Sequence, residues 1–556
     1  MASASGVGGA VVDRDGRPIA GATVRVRGSL DAVTTGPDGR FVLAGVPEDP
    51  PFRVTAWKAG HYVTGVGVRS SAEELRLTLE TYDTTDHPDY SWIPPVVERT
   101  PAEEKRLHTA LDAAAAESLT EAFFPLAEHL ELGCRDCHGD IMHEQWATSA
   151  HALGARNPIF LTMYNGTDVA GNRSPPTRRR SSRDYGELIL KPRPGDAYFG
   201  PGYRLDFPET AGNCATCHLP AAALHDPYGT DPNAVTGVDA SASHCDFCHK
   251  IGGVVLDPET GRPPANRPGV LSLEMVRPGN DRQIFFGPYD DVDVGPDTSL
   301  PLMSDSEICA PCHDASFWGV PIYESFSEWL ASPYAERGET CQDCHMKPDG
   351  VTTNFAPGRG GIDRDPSTIP THGFPGAADE ALLREAVTMR TAADRRDGEV
   401  VVTVSITNDR TGHHVPTDSP LRHLILLVRA TDDAGEALPL VEGQRVPDWA
   451  GPVQGAPGHY GGLPGTAFAK ILQEVWTRTT PTAAYWNPTR IVQDNRIAAF
   501  ETDTSRYRFG AADGRCHIEA TLLFRRAFIE LAELKGWDAP DIVMARTRVT
   551  IEPEEG

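Results

Sequence analysis

Ten of the eleven cysteines stand in pairs separated by two residues, and a histidine follows each pair at once. The five segments are "CRDCH" (Cys134, Cys137, His138), "CATCH" (Cys214, Cys217, His218), "CDFCH" (Cys245, Cys248, His249), "CAPCH" (Cys309, Cys312, His313) and "CQDCH" (Cys341, Cys344, His345). One helical turn between two thiols matches the separation of the two vinyl groups of a porphyrin, and the next residue then projects its imidazole at the iron. A zinc knuckle needs two such pairs per metal and no adjacent histidine. A thioredoxin-like redox pair occurs once, near a βαβ pattern. A disulfide framework leaves the residue after the second cysteine free. The pattern therefore reads as five covalently attached c-type haems, with the ten paired cysteines as attachment points and the five histidines as proximal iron ligands. Cys516, in "GRCHIE", reads as a small buried hydrophobe in a strand.

Haem attachment of this kind takes place outside the cytoplasm, so a periplasmic or extracellular location is expected. The opening "MASASGVGGAVVDRDG" shows no charged region followed by an apolar run, so no signal peptide is visible there. No apolar run is long enough for a transmembrane helix. The formal charge of -27 argues against nucleic acid as a partner and favours docking to basic proteins. A chain of 556 residues exceeds one core.

Three regions are expected. Residues 1–82 alternate apolar and polar positions around Asp-Gly and Pro turns, as in a small β-sandwich. Residues 83–384 begin with a link and a helix, "PAEEKRLHTALDAAAAESLTEAFFPLAEHL", and then hold all five motifs in loop-rich sequence with little regular sheet. Residues 385–556 return to β patterning in "EVVVTVSIT", "RHLILLVRA", "CHIEATLLF" and "RTRVTIE", with a helix at "RAFIELAELKG". The fold class is thus multidomain: a small Ig-like β-sandwich, a helix- and loop-rich multihaem domain, and a C-terminal β-sandwich.

Each iron also needs a sixth ligand or keeps an open position. Nineteen histidines less the five of the motifs leave more candidates than irons. In "HEQWATSAHALG", Trp146, Ser149 and His151 are expected on one side of a short helix. His244 adjoins Cys245 and travels with that haem. His225 lies seven residues past His218. His372 sits in the Pro/Gly-pinned "PTHGFPG", and His413 in the turn "NDRTGHHVPTDSP". These five, His151, His225, His244, His372 and His413, are the candidate distal ligands. His414 is expected to point away from His413 in extended backbone, solvated or bonded to a propionate. His108, His129 and His423 read equally well as solvated side chains.

Residues 6–82 resemble carboxypeptidase-regulatory-like modules, through "GVGGAVVDRDGRPIAGATVRVRG", "TGPDGRF" and "VTAWKAGHY". The resemblance implies an Ig-like sandwich serving as a spacer, adhesion or docking element. Residues 131–552 resemble bacterial multihaem c-type cytochromes with a β-sandwich after the haem domain. The residues that carry this are "QWATSAHA", "CDFCHKIGG", "FGPYDD" before "SEICAPCH", "YESFSEWLASPYAERGETCQDCHM", "THGFPG" and the Asn408, Gly412, His413, Pro416, Thr417 pattern. It implies His151, His372 and His413 as distal ligands. Relatives often carry a histidine soon after the "FGP" stretch, and here there is none from Lys250 to Cys312. One haem is then ligated by Met303, Met275 or a distant histidine, or is five-coordinate.

The expected function is electron transfer along closely spaced, mostly bis-histidine haems, an electron carrier rather than an enzyme, in respiratory or extracellular electron transfer. Expected partners are redox proteins, such as basic cytochromes or membrane quinol-oxidising complexes. Two alternatives stay open. The chain is a subunit that self-associates into an extracellular cytochrome filament, or it is an oxidoreductase acting on a small nitrogen or sulfur compound at one open haem.

Overall fold

The computed structural model describes residues 6–47, 50–69, 74–107, 132–279, 282–453, 455–510 and 514–553. The expected helix at 101–130 lies mostly outside these residues; its described start, 101–107, is helical.

The chain is multidomain, with strands at both ends and a helix- and loop-rich middle. The first unit packs a three-stranded sheet (Arg40–Ala44, Gly6–Val12, Leu75–Thr78) on a four-stranded one (Ala32–Thr34, Thr23–Val26, Phe52–Trp57, Thr64–Val68). Alternation does the sorting: Val7, Val11, Phe41, Leu43, Val54 and Leu77 turn inward to one core. Gly9 is required where the first and last strands run parallel, because a Cβ there would stand 2.3 Å from the Leu75 carbonyl oxygen.

The C-terminal unit pairs a four-stranded sheet with a five-stranded one. Strand Glu399–Thr407 sends Val400, Val402, Val404 and Ile406 into the core, where they meet Leu424, Leu426, Phe468, Leu522 and Phe524. The four strand signals read here from the sequence lie within observed strands to within one residue, and the helix Ile529–Lys535 falls within its expected segment. Cys516 is fully buried at the start of strand Cys516–Arg525.

Between these units the elements are short. Each Cys-x-x-Cys-His motif lies on its own helix or single turn: Cys134–Ala147, Ala215–His218, Cys245–Cys248, Ala310–His313 and Cys341–His345. Four two-stranded ribbons complete this region.

Both β units are built into the middle region. Arg25 meets Asp290 at 2.9 Å, the Gly28 amide donates to Asp291 at 2.7 Å, and Arg27 and Arg53 both pair with Asp293. Arg364 meets the other oxygen of Asp291 at 2.8 Å. At the far end, Lys535 is fully buried, and its ammonium donates to the carbonyls of Thr162, Thr167 and Pro201. The first unit, expected as a spacer, adhesion or docking element, is held against the middle region by these contacts. Among the described residues, no helix is long and apolar enough to cross a membrane.

Candidate cofactor site

One continuous cavity of about 1900 Å³ runs through the middle region. All ten motif cysteines and all five motif histidines line it. Pockets for a single small ligand are typically ~300–1,000 Å³, so this space suits several large groups. All eleven cysteines are free thiols.

Thiols of different motifs meet. Cys134 lies beside Cys245, Cys217 beside Cys312, and Cys309 beside Cys341. Cys248 is near enough to act electrostatically on both Cys309 and Cys312. The first motif thus adjoins the third, while the fourth adjoins the second, third and fifth.

Four of the five motif histidines are held by their Nδ1 atoms. His138 bonds the Phe355 carbonyl at 2.9 Å, His345 bonds that of Pro375 at 2.7 Å, and His249 bonds that of Phe286. His313 instead donates to the Asp418 carboxylate at 3.1 Å. With Nδ1 donating, these four rings present a bare Nε2 lone pair, the tautomer that a metal ligand needs. The His218 ring lies flat on Phe160, 3.9 Å between centres and 8° between planes.

Three of these rings face a second imidazole. The centres of His151 and His313 are 6.3 Å apart, those of His249 and His372 are 6.4 Å apart, and those of His345 and His413 are 6.4 Å apart. Two imidazoles sharing one metal through Nε2, with bonds of about 2.0 Å, have centres roughly 6.3 Å apart. The separations therefore fit an iron between each pair. The planes cross at 82° in the first pair and lie at 26° and 17° in the others. Burial holds His151 down to about 4, with His313 and His345 acting in the same direction, and His372 down to about 3. Both rings are neutral and their lone pairs are available. Among the described residues no three His, Cys, Asp or Glu side chains converge as a metal cage; histidines meet in twos.

The turn at 408–420 serves two of these places. Asn408, fully buried, donates to the carbonyls of His413 (2.8 Å) and Ile497 (2.9 Å). His413 Nδ1 bonds the His414 carbonyl at 2.9 Å, which aims Nε2 at His345. Glu328, on helix Ser325–Leu330, accepts from the His414 amide at 3.1 Å and from the Thr417 hydroxyl, and it pairs with Arg496. Asp418 then takes left-handed backbone (φ 58°), a conformation Asp tolerates, and reaches His313. Burial opposes the Asp418 charge, yet hydrogen bonds from His313 and Ser325 and the nearby Arg422 hold its carboxyl well below the usual range. His313 is raised in turn, against burial.

Other candidates stand differently from their sequence reading. The helix after the first motif ends at Ala147 with Thr148 as its cap, so Ser149 and His151 lie in the turn beyond it. His244 caps helix Cys245–Cys248, its Nδ1 accepting from the Phe247 amide at 3.1 Å. That places its proton on Nε2, the reverse of the tautomer for ligation through that atom. His225 is exposed, and it is not among the cavity-lining residues. His423 is fully buried between Phe528 and Trp449, away from solvent. His108 and His129 lie outside the described residues. Asp418 was missed altogether, since nothing near it in sequence marks its partner.

Residues 6–80 match the family model for the carboxypeptidase regulatory-like domain. Among solved structures, a penta-heme cytochrome c552 from Thermochromatium tepidum is similar, with a TM-score of 0.49 and 20% identity, over 75% of this chain and 97% of that one. No curated protein matches.

Proposed function

We propose that this chain is an exported pentahaem c-type cytochrome that carries electrons between redox proteins. The observation that carries the reading is the set of three imidazole pairs, 6.3 to 6.4 Å between centres, along a cavity lined by every motif cysteine. When bound, haems supply one-electron exchange; the chain sets their spacing, axial ligands and surroundings.

In this reading His138, His218, His249, His313 and His345 are proximal ligands. His372, His151 and His413 are the distal partners of the third, fourth and fifth motifs. His244 is better placed to donate from Nε2 to a propionate, and His225 remains a surface residue. The adjacency of the motif thiols supports an array branched at the fourth motif, where three neighbours converge. The surface of net charge -27 favours docking to basic partners, weakening as salt rises.

Electron paramagnetic resonance of the oxidised protein tests the assignment. It should resolve at least three low-spin irons with two imidazole ligands, one with crossed and two with near-parallel ring planes. Fewer than three such irons would contradict the proposal.

A further inference from the structure

The chain carries a formal charge of -27, yet residues 178–193 hold six cations against two carboxylates. All six, Arg178, Arg179, Arg180, Arg183, Lys191 and Arg193, are exposed. The segment folds into strands Arg179–Ser182 and Gly186–Ile189, which pair with each other and, among the described residues, with no third strand. Gly186, at φ 71°, closes the short turn between them.

A two-stranded ribbon is marginal by itself in water, and this one is fastened at both ends. At its foot, Arg179 donates to the Asp206 carbonyl and stands 5.8 Å over the Phe207 ring. The Thr177 hydroxyl donates to the Asp206 carboxylate. At its tip, the exposed Tyr185 ring lies 5.2 Å from that of Trp476 in the C-terminal unit. Arg179 also pairs with Glu187 at 3.2 Å; none of the other five cations has an ion pair among the described residues. Alternation turns Arg178 and Arg180 away from the side that Arg179 uses. Like charges crowded on one ribbon repel, so the cluster costs stability unless an anionic surface meets it.

Its place in the fold says what that surface belongs to. Phe207, under Arg179, lines the continuous cavity together with Cys214, Cys217 and His218 of the second motif. Phe207 and Cys214 also pack against one apolar cluster. The cations are spread along both strands and beyond them, which suits the face of a protein, and Arg and Tyr are the residues that dominate such contacts.

We propose that this ribbon is a docking face for an acidic redox protein, seated beside the second motif. The inference rests on the pentahaem reading and gives the array one port opposite in sign to the chain's net charge.

The test uses the intact holoprotein, with oxidised plant-type ferredoxin as the acidic probe. A haem count comes first: fewer than five covalent haems overturns the parent reading and this inference with it. With five present, the results below bear on the ribbon alone. Calorimetry should show binding at about 20 mM salt that is lost at about 0.5 M. Arg178→Glu, Arg180→Glu and Arg183→Glu together should weaken binding by about tenfold or more. The same change of net charge on the N-terminal unit, Arg17→Glu, Arg40→Glu and Arg76→Glu together, should weaken it by less than about threefold. Carbodiimide coupling should join a ferredoxin carboxylate to Lys191. Should the ribbon variant not fold, Arg180→Gln and Arg183→Gln together should still weaken binding by about threefold or more. No binding at low salt, equal weakening by the two triple variants, or coupling only at other lysines overturns the inference. So does a salt-sensitive dimer of this chain that the ribbon variant abolishes, because the occupant is then a second copy.

Discussion

On the proposed ligation, replacing Asp418 by Asn should raise the midpoint potential of the fourth-motif haem. The carboxylate oxygen lies 3.1 Å from His313 Nδ1 and is buried. A negative charge roughly 7 Å from an axial position, at an effective dielectric of about 20, stabilises the oxidised state by about 2 kcal/mol, or about 100 mV for one electron. Arg422 stands 4.0 Å from the same carboxylate and offsets part of this, so an increase of about 50–100 mV is expected. Asparagine keeps an acceptor for the imidazole N–H, so ring orientation is preserved and the charge alone is removed. The assay is a potentiometric titration followed by electron paramagnetic resonance. Ligated as proposed, the fourth-motif iron would be distinguished there by its crossed ring planes, 82° against 26° and 17° for the other two pairs. The reasoning is refuted if the crossed-plane signal keeps its potential within about 20 mV while the other signals shift.

Other consequences can be checked alongside. His413→Ala should turn the fifth-motif iron high-spin, while His414→Ala, whose amide still reaches Glu328, should leave every spin state unchanged; absorption and resonance spectra of the two variants decide this. Asp291→Ala strips the partners from Arg364 and the Gly28 amide, and breaking this buried pair should cost about 3–5 kcal/mol in denaturant unfolding, with earlier proteolysis of the N-terminal unit. Burial lowers Lys535 from 10.5 to about 7, so between these values the unfolded chain binds more protons and this group makes stability rise with pH. Lys535→Met should flatten that rise, read as the difference between the two proteins' unfolding midpoints from pH 7 to 10.

The candidate attachment motifs stand out because their chemistry is local: five residues suffice to place two thiols and an imidazole. The β units were legible for a similar reason, since the alternation in "EVVVTVSIT" is itself the inward and outward sorting of strand Glu399–Thr407. Pairing of rings was not. His372 could be marked as a candidate, but its meeting with His249 joins residues 123 positions apart and depends on how the loops wrap. Asp418 shows the limit most clearly. It lies in the turn singled out for its histidines, yet its partner His313 is 105 residues away and belongs to a different motif from the partner of His413. Asp290 and Asp291 were noticed only as the end of "FGPYDD", and nothing in the acidic run with Asp293 pointed to its partners, because an acidic loop is ordinarily solvated. Only the fold brings Arg25, Arg27, Arg53 and Arg364 onto it.

The central claim is that all five motifs carry covalent haem. Intact-protein mass measurement of the matured chain, combined with haem quantitation after denaturation, tests it most directly. The account predicts a mass raised by five haems and five haem equivalents that stay with the denatured polypeptide. Haem that dissociates on denaturation, or a mature chain with fewer than five attached, would contradict it.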